Sequence, residues 1–257
     1  MNTQVVDTDG HIFEQDEIMF EYLEPPYKGH KEVFLYPFFP TPDGFHRMAR
    51  RIVDKRPYIV GPDDPKTWAE VLDRENIDRT VIYPTAALGV GYIQDPEWAV
   101  VVCRAYNNMM ADRYINFDRR LGAVAVLPLQ DIEESAKELR RAVTDLHMVG
   151  GVLAPAGFPK PLGDTYFDPL YREAEALGCP LGIHGAPSKG LGFDFFRSLI
   201  EARTLSHPFL QMIELTSIIF EGVLERFPRL ILAALEAGCQ WIPFLMDRMD
   251  MEYGHRS

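Results

Sequence analysis

Six short apolar runs, spaced by segments of helical periodicity, constrain this chain more than any other feature. They are Gln4 to Asp9, Arg79 to Pro84, Leu121 to Leu127, Val149 to Ala154, Pro180 to His184 and Leu230 to Leu235. Most are continuously apolar rather than alternating, as expected of strands covered on both faces in a parallel sheet. The intervening segments are long enough for the helical crossovers that parallel strands require. From Asp131 to His147, Ile132, Ala136, Leu139, Val143 and Leu146 fall on one helical stripe, while Glu133, Glu134, Lys137, Arg140 and Arg141 fall elsewhere, which predicts a surface helix packed on a sheet. Asp64-Pro65, Asp95-Pro96 and Asp168-Pro169 read as helix starts, with the carboxylate as cap and proline in the first helical position. The βα rhythm fits a barrel or a doubly wound sheet.

A closed (β/α)8 barrel needs eight strands, and this chain ends after the helix that follows the sixth. The expectation is one domain over residues 1–257; if the rhythm is that of a barrel, the chain is of TIM-barrel type and truncated after the sixth strand and its helix. Residues 12–66 interrupt the rhythm with Pro25-Pro26-Tyr27 and Phe38-Phe39-Pro40-Thr41-Pro42. An apolar insertion of this length after a first strand is expected to cover an active site or bind a partner.

The net charge of -12 includes no basic cluster, which argues against nucleic acid or anionic lipid as a partner. No run approaches the ~20 apolar residues of a membrane span, and Met1-Asn2-Thr3-Gln4 lacks the basic start of a signal peptide, so a cytoplasmic protein is expected. Cys103, Cys179 and Cys239 are widely separated, without any Cys-x-x-Cys, and read as reduced core thiols.

Chemistry is concentrated at strand ends. In Asp7-Thr8-Asp9-Gly10-His11, residues two apart share a face of an extended segment, so Asp9 and His11 can grip one ion. Taken alone, the pair is equally a turn-capping carboxylate and a half-buried histidine. His184 places a second imidazole at the carboxyl end of another strand, where barrels and open α/β sheets carry their chemistry. Imidazole with carboxylate suits one divalent ion, Zn²⁺ first and Mn²⁺ second. Glu14 is placed to hydrogen-bond a ligand imidazole and fix its tautomer, or else faces solvent. His207, in Leu205-Ser206-His207-Pro208-Phe209, sits where one helix is expected to end and another to begin, with structural and catalytic readings open. Glu236, after the last apolar run, is an acid/base candidate or a helix-capping glutamate. His30, His46, His147 and His255 lack a strand-end context. Arg197 and Arg203 read as solvated, or as partners for a substrate carboxylate. There is no phosphate-binding glycine loop, and Ser188 has no nucleophile-elbow context.

Three stretches resemble a known group: Asp9-Gly10-His11-Ile12-Phe13-Glu14; Pro180-Leu181-Gly182-Ile183-His184-Gly185-Ala186; and Gly222 to Pro228 leading into Leu235-Glu236-Ala237-Gly238-Cys239-Gln240-Trp241-Ile242-Pro243. The chain is similar over its length to the amidohydrolase-related metal-dependent hydrolases, which include aminocarboxymuconate-semialdehyde and resorcylate-type decarboxylases. The resemblance implies a distorted (β/α)8 barrel with one divalent metal, held by Asp9, His11 and His184. In the decarboxylase branch the sixth strand offers a histidine where this chain has Glu236, and a carboxylate cannot mimic a cationic imidazole toward an anionic substrate. The resemblance further implies an eighth-strand aspartate, for which no residue here is a match.

The leading expectation is a metal-dependent hydrolase acting through a metal-activated water on a small carbonyl or carboxylated, cyclic compound, with Glu236 or His207 managing protons. The alternative is a non-oxidative, metal-dependent decarboxylase of an aromatic or enol-type carboxylate. A further alternative is an inactive or assembly-dependent barrel subunit. The expected partners are a small-molecule substrate and either further copies of the chain or another polypeptide that completes the barrel.

Overall fold

The computed structural model describes residues 4–30, 37–40, 64–186 and 190–256. Six strands alternate with helices: β1 (Val6–His11), α1 (Asp16–Glu21), α2 (Pro65–Glu75), β2 (Arg79–Tyr83), α3 (Pro96–Met110), β3 (Leu121–Val126), α4 (Ile132–Thr144), β4 (Gly150–Leu153), α5 (Asp168–Leu177), β5 (Pro180–His184), α6 (Leu199–Phe220), α7 (Val223–Arg226), β6 (Ile231–Leu235) and α8 (Ile242–Arg256). The strands lie in chain order β1-β2-β3-β4-β5-β6, every neighbouring pair parallel. A doubly wound sheet would reverse its strand order at a switch point, and this one does not. The sheet is also curled. Flat, four strand spacings of ~4.8 Å would put β1 and β5 about 19 Å apart, yet His11 Nε2 at the end of β1 lies 3.2 Å from His184 Nε2 at the end of β5. The architecture is therefore an open (β/α) half-barrel of TIM type.

The caps form largely as their sequences predict. Asp64 accepts from Thr67 N (2.9 Å), Asp95 from Glu97 N (3.0 Å) and Asp131 from Glu134 N (3.1 Å), each worth about 1 kcal/mol. The third Asp-Pro pair differs. A 3-10 turn, Thr165–Phe167, capped by Asp164, runs directly into α5, so Asp168 is already helical and pairs with Arg226 (2.9 Å). On α4 the buried stripe is Ile132, Ser135, Glu138, Leu139 and Ala142, rotated from the apolar reading because Glu138 turns inward. Its carboxylate meets Arg141 (2.6 Å), Asn107 (2.7 Å) and Arg104 (3.4 Å).

The expected helix break at His207 does not occur: α6 runs continuously with Pro208 inside it. An internal proline costs about 3 kcal/mol. Ala202, Ser206 and His207 before it, and Leu210, Gln211, Glu214 and Ile218 after it, are all buried. Leu210 and Ile218 each recover about 1.5–3 kcal/mol on burial, so packing outweighs the local defect.

Cys103 and Cys179 are buried thiols, whereas Cys239 is exposed in the turn after β6 and is not a core thiol. Most of the 12–66 insertion lies outside the described residues, as do His46 and Ser188. Within its described part Met19, Leu23, Phe38 and Phe39 are buried, and Phe38 stacks on Trp98 at 6.0 Å. No described helix is long and apolar enough to cross a membrane.

Candidate metal centre

The site begins with an irregularity in β1. Asp7 lies opposite Thr80 and Gly10 opposite Ile82, so β1 spends one extra residue between them, a bulge of the kind that re-aims side chains beside active sites. Asp7 stabilises it by accepting from Thr80 Oγ1 (2.7 Å) and from Asp9 N (3.3 Å). Gly10 is required by contact: a Cβ there would sit 2.6 Å from Thr80 Oγ1 and 2.8 Å from Trp68 Cη2. The bulged end presents Asp9 and His11 together, as their spacing predicts, but by a bulge rather than by simple strand alternation.

Four residues converge. One donor atom from each of Asp9, His11, His184 and Glu236 lies within 4.8 Å of the others. His11 Nε2 is 3.6 Å from Asp9 Oδ1 and 3.7 Å from Glu236 Oε1, and His184 Nε2 is 3.9 Å from Asp9 Oδ1. Each ring is oriented through its other nitrogen. His11 Nδ1–H donates to Pro84 O (2.9 Å) and His184 Nδ1–H to Gly185 O (2.8 Å). A carbonyl can only accept, so both neutral rings turn an Nε2 lone pair toward the centre. Lone pairs 3.2 Å apart repel unless a proton or a cation lies between them. Asp9 Oδ1, also turned inward, is buried without a hydrogen bond from any described residue.

These donors fit a divalent ion. Two ligands ~2.05 Å from a tetrahedral centre lie about 3.3 Å apart, close to the 3.2 Å between the imidazoles. Gly185 makes the near approach of α6 possible, since a Cβ there would lie 3.0 Å from His207 Cα. His207, buried on α6, receives or gives a hydrogen bond at Ser206 Oγ (3.1 Å) through Nδ1, and its Nε2 lies 3.1 Å from Glu236 Oε2. Arg203 Nη2 reaches the same oxygen at 3.1 Å.

The electrostatics follow from this packing. The hydrogen bond from His207 holds the Glu236 carboxyl down at about 2, against its burial, with His184 and His11 adding to the effect. Burial, reinforced by the charge of His11, pulls His184 down to about 4. For His11 burial disfavours the charged ring, but the nearby carboxylates of Asp9 and Glu236 outweigh it, and the net direction is upward.

Glu14 does not fix the His11 tautomer. Its carboxylate accepts from the backbone amides of Ala86 (2.8 Å), Ala87 (3.0 Å) and Thr85 (3.2 Å), closing the start of the 3-10 helix Ala86–Tyr92. Orphan amides at a helix start are a stronger draw for a carboxylate than an imidazole whose free N–H already has a carbonyl partner. Arg203, read as solvated or as a partner for a substrate carboxylate, instead reaches the carboxylate of Glu236. Gln211 went unrecognised: fully buried on α6, it donates to Ile183 O (2.5 Å) and more distantly to Leu235 O (3.4 Å), the carbonyls just before His184 and Glu236. Its place in the ladder His207, Gln211, Glu214, at helical spacing, was the available signal.

Comparison with known proteins finds relatives of this chain. The chain is 27% identical over 193 residues to the 2-amino-3-carboxymuconate-6-semialdehyde decarboxylase of Dictyostelium discoideum, across 75% of this chain and 53% of that protein. It is 33% identical over 126 residues to a gamma-resorcylate decarboxylase of Rhodococcus jostii, across 45% of this chain and 37% of that one. The chain thus spans about half the length, or less, of these curated relatives. Its fold superposes on a manganese-bound 5-carboxyvanillate decarboxylase from Novosphingobium aromaticivorans with a TM-score of 0.72 at 18% identity, covering 100% of this chain and 72% of that one. A family model described as amidohydrolase matches residues 6–255, and the chain belongs to the amidohydrolase family.

Proposed function

We propose that this chain forms the metal centre of a decarboxylase that removes carbon dioxide from a small aromatic or enol-type carboxylate. The observation that carries the metal-dependent part is the pair of Nε2 lone pairs 3.2 Å apart beside the orphaned Asp9 Oδ1. Asp9, His11 and His184 would hold the ion. When bound, it supplies a positive charge that orients a substrate carboxylate and a neighbouring oxygen. The named activities of the curated relatives support decarboxylation over the hydrolase reading with which the sequence led, and the manganese in the superposed structure supports Mn²⁺ at least as well as Zn²⁺.

The remaining work belongs to side chains. Decarboxylation replaces a carbon–carboxylate bond with a carbon–hydrogen bond, so one proton must reach the carbon as carbon dioxide leaves. We assign that proton to His207 in its imidazolium form, which would become neutral imidazole on giving it up; its Nε2 lies 3.1 Å from Glu236 Oε2. Tyr83 flanks both imidazoles, its ring 6.2 Å from that of His11 and 6.0 Å from that of His184, and keeps water from their backs.

The test is carbon dioxide release from 2,6-dihydroxybenzoate and related hydroxybenzoates by the purified chain loaded with Mn²⁺, alongside its metal content. Release that disappears in His184→Ala together with the bound ion supports the reading. A chain that binds about one ion but hydrolyses amide or ester substrates, with no carbon dioxide from any carboxylate, would return it to the hydrolase class.

A further inference from the structure

We propose that Glu236 is a fourth donor to the ion rather than an acid or base, and that Arg203 is the positioning residue that aims it. The inference rests on the metal-centre reading above. Glu236 has two oxygens with different surroundings. Oε2 is occupied by two N–H donors, His207 Nε2 and Arg203 Nη2, each at 3.1 Å. A carboxylate gripped at one oxygen from two directions cannot rotate freely, and the other oxygen is left pointing where the grip sends it. Here that oxygen, Oε1, lies 3.7 Å from His11 Nε2 and within reach of Asp9 and His184. A proton-transfer carboxylate needs an oxygen open to substrate, whereas both oxygens here are committed, one to the grip and one to the donor cluster.

The backbone agrees with a fixed role. Glu236 has a φ of +54°, in the left-handed region that side-chain-bearing residues rarely occupy. Such strain persists where surrounding contacts over-determine it, and it gathers at functional sites. Register adds a further constraint. Leu235 pairs with His184 across β5 and β6, so Glu236 is one residue past the histidine's partner. Gln211 bonds the carbonyls of Ile183 and Leu235, tying together the two strand ends that carry His184 and Glu236. The resulting set, two neutral imidazoles and two carboxylates, balances the charge of a divalent cation.

The experiment is titration of the chelator-stripped chain with Mn²⁺, following free ion by electron paramagnetic resonance, with circular dichroism of each stripped variant as the folding control. Glu236→Gln is isosteric and carries the same backbone strain, and it should weaken Mn²⁺ binding about tenfold or more. Glu236→Asp, which keeps the charge but withdraws the oxygen by one methylene, should also weaken it and serves if the glutamine variant does not fold. Arg203→Met should lose affinity severalfold and Arg203→Lys should recover most of it, because an ammonium can still donate to Oε2. Wild-type affinity in both Glu236 variants, with affinity lost in His184→Ala, overturns the fourth-donor inference alone. Wild-type affinity in His184→Ala as well overturns the metal centre itself. Weakening in Glu236→Gln but not in Arg203→Met leaves Glu236 as donor and removes the role given to Arg203.

Discussion

Glu214 offers a quantitative test of the packing that holds α6 against the half-barrel. The residue is 4% exposed, and its carboxylate accepts a hydrogen bond from Leu162 N at 2.7 Å. Burial raises its carboxyl to about 7, from an ordinary value of 4.5, with the Leu162 amide pulling the other way. The folded chain therefore binds a proton more tightly than the unfolded chain. Below about pH 4.5 both states are protonated and there is no penalty. Between 4.5 and 7 the unfolded state ionises first, stability falls as pH rises, and above 7 the full cost remains. A difference of 2.5 pH units at 1.36 kcal/mol each is about 3 kcal/mol. Glu214→Gln keeps an oxygen for the Leu162 amide and removes the ionisation. At about 2–4 °C per kcal/mol for a chain of this size, the variant should melt about 6–12 °C above the parent at pH 8 and level with it at pH 4.5. The measurement is the thermal midpoint of both proteins at half-unit steps from pH 4.5 to 8. Other titrating groups cancel in the difference. A difference independent of pH, or one that grows toward acid, refutes the claim that Glu214 is buried at the cost of its charge.

Other consequences are simpler to state. Glu138→Ala removes the buried carboxylate shared by Arg104, Arg141 and Asn107 and should cost about 3–5 kcal/mol, read as a fall in the urea midpoint; a loss under about 1 kcal/mol would mean that the network is solvated. Gly10→Ala should cost about 1–3 kcal/mol and loosen Mn²⁺, because the added Cβ must displace Thr80 or Trp68 and with them the bulge that presents Asp9 and His11. Gly254→Ala on α8, where the same atom meets open space, is the control and should leave stability unchanged or slightly higher.

The sequence by itself determined the elements and most of the candidate donor set. Apolar runs and helix caps are local physics, which is why the strands fall within two or three residues of their expected limits and Asp64, Asp95 and Asp131 cap as read. Asp9, His11 and His184 were legible because a strand end is a position that sequence can locate. The βα rhythm alone left barrel and doubly wound sheet open, since they differ only in strand order; the family resemblance pointed to the barrel, and the order β1 to β6 agrees. Long-range contact decided the rest. Glu14 meets amides more than 70 residues away, Arg203 meets a carboxylate 33 residues away, and Gln211 bridges two strands from a helix that Pro208 seemed to interrupt. In each case a local preference was outbid by partners that only the folded chain brings within about 3 Å, and hydrogen bonds weaken too steeply with distance for sequence proximity to stand in for that closeness.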